Sequence, residues 1–156
     1  MSNDESWIVK TIGTVKSPRK EPIDDNWGKF ESTIELKSIL ESSALDGVEE
    51  FSHVEVLYIF HRVDEDAICY GKRRPRDNPL WPEVGILAQR AKNRPNRIGV
   101  SICELIGRNE MSLKVRGLDA IDGTPVLDIK PWFKELIPLT PDKEPSWTKE
   151  LMADYF

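Results

Sequence analysis

A chain of 156 residues, 39% hydrophobic and 31% charged, can bury one core of its own and is too short for two ordinary domains. Its longest uncharged apolar run, residues 56–60, cannot cross a bilayer, and the polar, acidic first ten residues lack the apolar stretch of an export signal, so the cytoplasm is the expected compartment. Net charge is −5, yet residues 72–97 carry eight basic side chains against two acidic ones, a basic segment on an acidic body of the kind that attracts phosphate.

In chain order, residues 7–15 mix β-branched and polar side chains before Ser17 and Pro18, predicting a first strand and a turn. Residues 17–29, with two prolines, the Asp24-Asp25 pair and Trp27, read as a long loop, a common carrier of function. Residues 32–36 alternate as a short strand, and residues 39–45 predict a brief helix ending near Gly47. Residues 50–63 are the most apolar segment and predict a central strand buried on both faces, with His61 and Arg62 at its end, where side chains emerge toward a cleft. Residues 64–82 form a proline-rich basic connection expected to be mobile, followed by a strand at 84–88 and an irregular stretch at 89–97.

Residues 102–106 and 112–115 pair as a hairpin through 107–110. Residues 115–132 place Asp119, Asp122 and Asp128 around an Asp122-Gly123 turn. Strand 126–130 then puts Leu127 and Ile129 on one face and Asp128 and Lys130 on the other. A packing arm at about 132–156 ends in a short helix, 146–154, capped by Ser146. Many short strands with few helical periods give the fold class: mainly β, a closed antiparallel β-barrel with short peripheral helices.

Several chemistries drop out. Cys69 and Cys103 match no zinc or redox spacing and are expected to be free thiols; His53 and His61 are too far apart on one strand to share a metal, so no metal site is expected. The glycines never fall at G-x-G spacing, and there is no G-K-[ST] loop or G-x-S-x-G elbow, which removes Rossmann enzymes, P-loop nucleotidases and serine hydrolases of that type.

Four blocks remain: Ile12-Gly13 with Ser17-Pro18; G-V-E-E-F-S-H-V at 47–54 with F-H-R at 60–62; G-I-L-A-Q-R-A-K-N-R-P-N-R-I-G-V-S at 85–101; and G-L-D-A-I-D-G-T-P-V-L-D-I-K-P at 117–131. On them the chain resembles the TsaA-like family, whose characterised members are the TrmO-type tRNA methyltransferases. The resemblance runs from residue 12 to about 131 and implies one domain over 1–156, a non-Rossmann barrel that binds S-adenosylmethionine and works as a homodimer with the donor near the subunit interface. The implied reaction methylates N6 of a threonylcarbamoyl-modified adenosine beside the tRNA anticodon. By motif, the implied donor contacts are Asp25 and Asn26 in the loop at 24–26, His61, Arg62, Arg90, the backbone near Val100, and Gly117, Leu118, Asp119 and Ala120.

Within that resemblance Asp119 suits the ribose or amino-acid part of the donor, and Arg62 and Arg90 present guanidinium forks that fit its carboxylate or a tRNA phosphate. If a general base takes part, His61 or Asp122 is the candidate. The chain departs from the family pattern in three places. Arg97 stands where a proline usually follows R-P-N and is expected to loosen that turn; Ala91 replaces a frequent serine; and longer members carry a further C-terminal domain. Two other readings stay open: a non-catalytic barrel that binds S-adenosylmethionine or RNA, and a methyltransferase with a different acceptor.

Overall fold

Strand formation follows the period-two burial of short β-rich segments in the computed structural model, which describes residues 5–156. The strands are β1 (Gly13–Lys16), β2 (Glu31–Leu36), β3 (His53–Ile59), β4 (Lys72–Arg73), β5 (Val84–Gly85), β6 (Ile98–Asn109), β7 (Ser112–Arg116) and β8 (Pro125–Pro131). Six of them close into an antiparallel barrel in the order β1-β2-β7-β6-β3-β8, while β4 and β5 form a separate ribbon. Among the described residues, the remaining regular structure is single 3-10 turns and one short helix, α1 (Trp147–Met152), so the expected fold class is the observed one.

Side chains alternate into the barrel and fill it. Val15, Ile34, Val54, Val56, Leu113, Val115 and Val126 are fully buried, with Tyr58 and Cys103 beside them. Burying each such aliphatic side chain contributes on the order of 1.5–3 kcal/mol. The seam is short: β1 and β8 pair only Gly13 with Val126 and Thr14 with Pro125, extended by Ile12 N–H to Val126 O at 2.8 Å and Val15 N–H to Thr124 O at 2.9 Å.

Antiparallel closure has a geometric consequence. Strand direction alternates around the barrel, so the connections 17–30, 60–97 and 117–124 all open on one rim. The opposite rim receives residues 37–52 and the tight β6–β7 turn. There Trp132 N–H bonds His53 O at 3.1 Å, and from that point the arm returns along the barrel to the first rim.

Several local expectations are corrected. The first strand begins at Gly13, because Trp7, Ile8 and Val9 have no ladder partner and stand 86%, 96% and 64% exposed. The helix expected at 39–45 is two 3-10 turns, Ser42–Leu45 and Val48–Glu50; Gly47 between them sits at φ +85°, and a single turn does not propagate. β3 is buried on one face only: Val54, Val56 and Tyr58 point inward, and Leu57 and Ile59 lie on the half-buried outer face. In β8 a bulge at Leu127 breaks the expected alternation, so Val126 and Ile129, not Leu127 and Ile129, pack on the core.

The expected strand at 84–88 stops after Gly85 and turns into a 3-10 segment, Ile86–Ala88. The hairpin is longer than expected, since β6 runs on to Asn109 with Ile106 bulged out. Ser146 does not cap α1 with its side chain, and Thr148 Oγ instead donates to Pro145 O at 2.7 Å. The connection expected to be mobile is tied down: Arg74 donates to Trp81 O at 2.6 Å, and Gln89 Nε2 donates to Arg73 O at 2.8 Å and Val84 O at 2.9 Å. Cys69 and Cys103 are both free.

Gly99 on β6 pairs with Tyr58 on β3, and a Cβ at Gly99 would fall 2.4 Å from the Tyr58 ring. Gly99→Ala is therefore expected to destabilise the barrel by about 1–3 kcal/mol through overpacking. Urea unfolding checks this, and a wild-type midpoint would mean that the ring moves aside freely.

Candidate active site

All the candidate residues lie on the rim where the three long connections meet. Asp25 and Asn26 belong to 17–30; His61, Arg62 and Arg90 to 60–97; Val100 is near the start of β6; Gly117, Leu118, Asp119, Ala120 and Asp122 belong to 117–124.

The first connection is built around Arg19, which is only 8% exposed. Its guanidinium lies over Trp27 at 3.9 Å and Phe30 at 4.9 Å and donates to Asp25 O at 2.7 Å, Asn26 O at 3.2 Å and Ile23 O at 3.3 Å. A desolvated cation stacked on an indole contributes about 2 kcal/mol, and the carbonyls compensate for lost hydration. Asn26 takes a left-handed conformation, φ +63°, which asparagine tolerates better than most residues. Asp25 is held from the second connection, where Arg76 donates to both of its carboxylate oxygens at 2.8 and 3.0 Å.

The third connection turns at Gly117 and Gly123, both at φ near +80°, a conformation that a side chain would strain. Between them Leu118 and Ala120 are 1% and 4% exposed, so their side chains belong to the core and only their backbone can face a ligand. Gly117 N–H donates to Phe30 O at 3.1 Å, joining this connection to the first. Asp122 Oδ1 accepts from Ser17 N–H at 3.0 Å and so helps to hold the turn.

Asp119 lies at the centre. Burial pushes its carboxyl up to about 7, with Asp24 adding to the rise and Arg19, Arg90 and Lys92 opposing it. Arg90 therefore shares the local field of Asp119, and its Nη2 donates to Val100 O at 3.2 Å. Behind them, Tyr58 shares a hydrogen bond with Ser101 Oγ at 3.1 Å; burial raises its phenol far above the ordinary range. Cys103, also buried and near Asp119, is pushed up to about 12 and is not a nucleophile.

His61 and Arg62 stand at the edge. Arg62 Nη1 donates to Lys20 O at 2.7 Å and lies 3.6 Å from Glu21. The His61 imidazole is held below its usual value, first by burial and then by the Arg62 charge, and its Nε2 lies 3.9 Å from where a Cβ on Gly123 would stand. Arg97 does not loosen its turn. It sits at φ +52°, closed to proline, and closes the turn with its own N–H to Arg94 O at 3.0 Å and Nη1 to Val63 O at 2.8 Å.

A hollow of about 580 Å³ lies along the first connection, lined by residues that include Pro18, Arg19, Asp25, Asn26 and Phe30. Of the candidate residues it takes in only Asp25 and Asn26; Asp119, Arg90 and His61 do not line it. A larger groove of about 710 Å³, lined by residues that include Leu80, Trp81, Pro82 and Trp147, contains none of the candidate residues and lies where the arm docks. Three contributors escape a reading of the sequence. Arg19 looks like an ordinary loop arginine, Tyr58 like core, and Tyr155 like part of a packing arm, yet the Tyr155 hydroxyl donates to Asp119 Oδ2. No local pattern announces any of them.

Among the described residues, no helix is long and apolar enough to cross a membrane, and no group of three His, Cys, Asp or Glu side chains is placed to hold a metal. The model of the tRNA-methyltransferase O N-terminal domain matches residues 13–136. A probable S-adenosyl-L-methionine-binding protein of Methanothermobacter thermautotrophicus is 37% identical over 134 residues, covering 82% of this chain and 91% of that one. The tRNA (adenine(37)-N6)-methyltransferase of Escherichia coli is 36% identical over 145 residues, 85% of this chain but 61% of that one. The crystal structure of TrmO from Pseudomonas aeruginosa superposes with a TM-score of 0.72 at 30% identity, over 89% of this chain and 62% of that one. This barrel, with its loops gathered on one rim, belongs to the TrmO family.

Proposed function

We propose that the protein is an S-adenosylmethionine-dependent methyltransferase acting on tRNA, at N6 of a threonylcarbamoyl-modified adenosine beside the anticodon. The observation that carries the reading is the half-buried Asp119 carboxylate on the shared rim, in the field of Arg19, Arg90 and Lys92. The acceptor rests on the family resemblance and on the activity of the E. coli relative, of which this chain spans 61%.

The donor set fits the group. Asp119 offers an acceptor for ribose hydroxyls, the N–H groups of Leu118 and Asp119 are those of the 117–120 turn not taken by Phe30 O or Leu118 O and suit the adenine edge, and Arg90 offers guanidinium N–H groups for a carboxylate. When bound, S-adenosylmethionine supplies an electrophilic methyl group on a sulfonium. The residues of this chain hold the partners in line and exclude water, and positioning of this kind accounts for much of the rate enhancement in such reactions. His61 is neutral at ordinary pH because its pKa is lowered, the state needed to accept a proton from an adenine amine. Asp122 is the weaker base, since one oxygen is occupied by Ser17 N–H.

The reading extends to a homodimer. Ile98 and Ile102 stand 44% and 48% exposed on the outer face of β6 and, with Leu57 of β3, form an apolar stripe suited to a second copy.

Calorimetry with S-adenosylmethionine is expected to show binding that falls at least tenfold in Arg90→Ala and Asp119→Asn, with circular dichroism unchanged. Labelled donor should methylate tRNA from cells lacking the modification, with label at the adenosine beside the anticodon. Binding without transfer would favour a donor-sensing module. Because the ionised Asp119 is the acceptor, donor affinity in the wild type should rise with pH through about 7 and then level off, whereas Asp119→Asn should lose that rise. His61→Ala should lower kcat while leaving donor affinity within twofold.

A further inference from the structure

The arm reaches the candidate site. After Trp132 it crosses from the far rim, and α1 docks by burying Trp147 against Trp81, whose Nε1 donates to Glu150 Oε2 at 2.8 Å. The last residues then lie along the first connection. Asn26 N–H donates to Asp154 O and Trp27 N–H to Tyr155 O, each at 2.8 Å. Gly28 permits this approach, since a Cβ there would stand 2.8 Å from the Phe156 carbonyl carbon. The two backbone bonds fix the position of Tyr155, and its hydroxyl donates to Asp119 Oδ2.

We infer that Tyr155 is a positioning residue of the donor site, delivered by the arm to hold the Asp119 carboxylate in its ionised, ligand-accepting pose. The inference rests on the proposed role of Asp119 in donor binding. A phenol donating to one oxygen leaves the other free to accept, and it favours the charged form of a carboxyl group that burial drives toward neutrality. The groups facing Asp119 come from every neighbouring element: Arg19 and Asp24 from the first connection, Arg90 and Lys92 from the second, Tyr58 from β3 and Cys103 from β6. Burial holds Tyr58 and Cys103 in their protonated forms. Asp119 is therefore the group whose charge changes near neutrality, and Tyr155 touches it directly.

Removing a hydrogen bond to a charged group is expected to shift the Asp119 titration upward by about one pH unit. A shift of that size makes donor binding about fivefold weaker at pH 7 and nearly unchanged at pH 9. The test uses the full chain as wild type, Tyr155→Phe, Gly28→Ala and Asp119→Asn. Tyr155→Phe removes only the hydroxyl; Gly28→Ala keeps it but pushes the arm away. Carbon-detected NMR of labelled aspartate carboxyls, with Asp119→Asn assigning the signal, reads the titration in the free protein, and calorimetry at pH 7 and 9 reads the donor. An upward shift in both arm variants, with a loss of affinity confined to pH 7, supports the inference. An unshifted titration, an equal loss at both pH values, or tighter binding in the arm variants overturns it. If the wild type binds no donor, the reading of Asp119 as a donor ligand fails, while the NMR titration still decides whether Tyr155 sets its charge.

Discussion

The short seam between β1 and β8 is the constraint on which the rest of the molecule depends. Two residue pairs and two flanking hydrogen bonds close the barrel there. A slip of one residue would turn Val15 and Val126 from core to solvent, because side-chain direction reverses at each step along a strand. The same ladder continues past the strands: Gly123 N–H bonds Val15 O and Asp122 N–H bonds Arg19 O, each at 2.8 Å. The register that closes the core therefore also sets where the Asp119-to-Asp122 turn stands and how it meets the first connection. Stability and site geometry share one set of bonds.

Closure with six antiparallel strands also explains why residues so distant in the chain meet. Direction alternates, so three connections of very different length must open on one rim. The candidate residues are concentrated in them, and the opposite rim carries residues 37–52, the β6–β7 turn and the origin of the arm. Asp119 sits where the apolar core, represented by Leu118 and Ala120, gives way to this polar rim. Its raised pKa follows from that position, since burial outweighs three nearby cations, none of which is in salt-bridge contact with it.

Much of this was legible in the sequence. Alternation located β2, the hairpin pattern located β7, and the absence of glycine fingerprints excluded the common nucleotide folds, whereas the apolar run of β3 reads as buried on both faces and is buried on one. The Asp122-Gly123 turn was visible because its chemistry is local. Other features depend on partners distant in sequence. The bulge at Leu127 reflects pairing with Leu57 and Tyr58, the start of the first strand at Gly13 reflects where its pairing with β2 and β8 begins, and the 3-10 turns at 42–50 are too short to carry a helical period. The convergence of Arg90 with Asp119 was implied by family resemblance and not by spacing. Arg19 and Tyr155 escape the sequence for one reason: a lone arginine in a loop and a lone tyrosine in an arm look the same whether they face solvent or the field of a half-buried carboxylate.

The basic segment shows how position changes the meaning of charge. Counted as sequence, residues 72–97 look like a phosphate-binding surface. In the fold, Arg73 pairs with Asp77 at 3.3 Å and Arg76 with Asp25 at 2.8 Å, so two of the eight cations are neutralised locally. Arg74, Arg90, Arg94 and Arg97 donate to the carbonyls of Trp81, Val100, Gln89 and Val63, which organise the connection. A carbonyl satisfies a donor without cancelling its charge, so these four still contribute to the field, with Lys72 and Lys92 beside them. The segment thus does two jobs with the same side chains: their hydrogen bonds shape the rim, and their remaining charge offsets the carboxylates that the three connections also carry there.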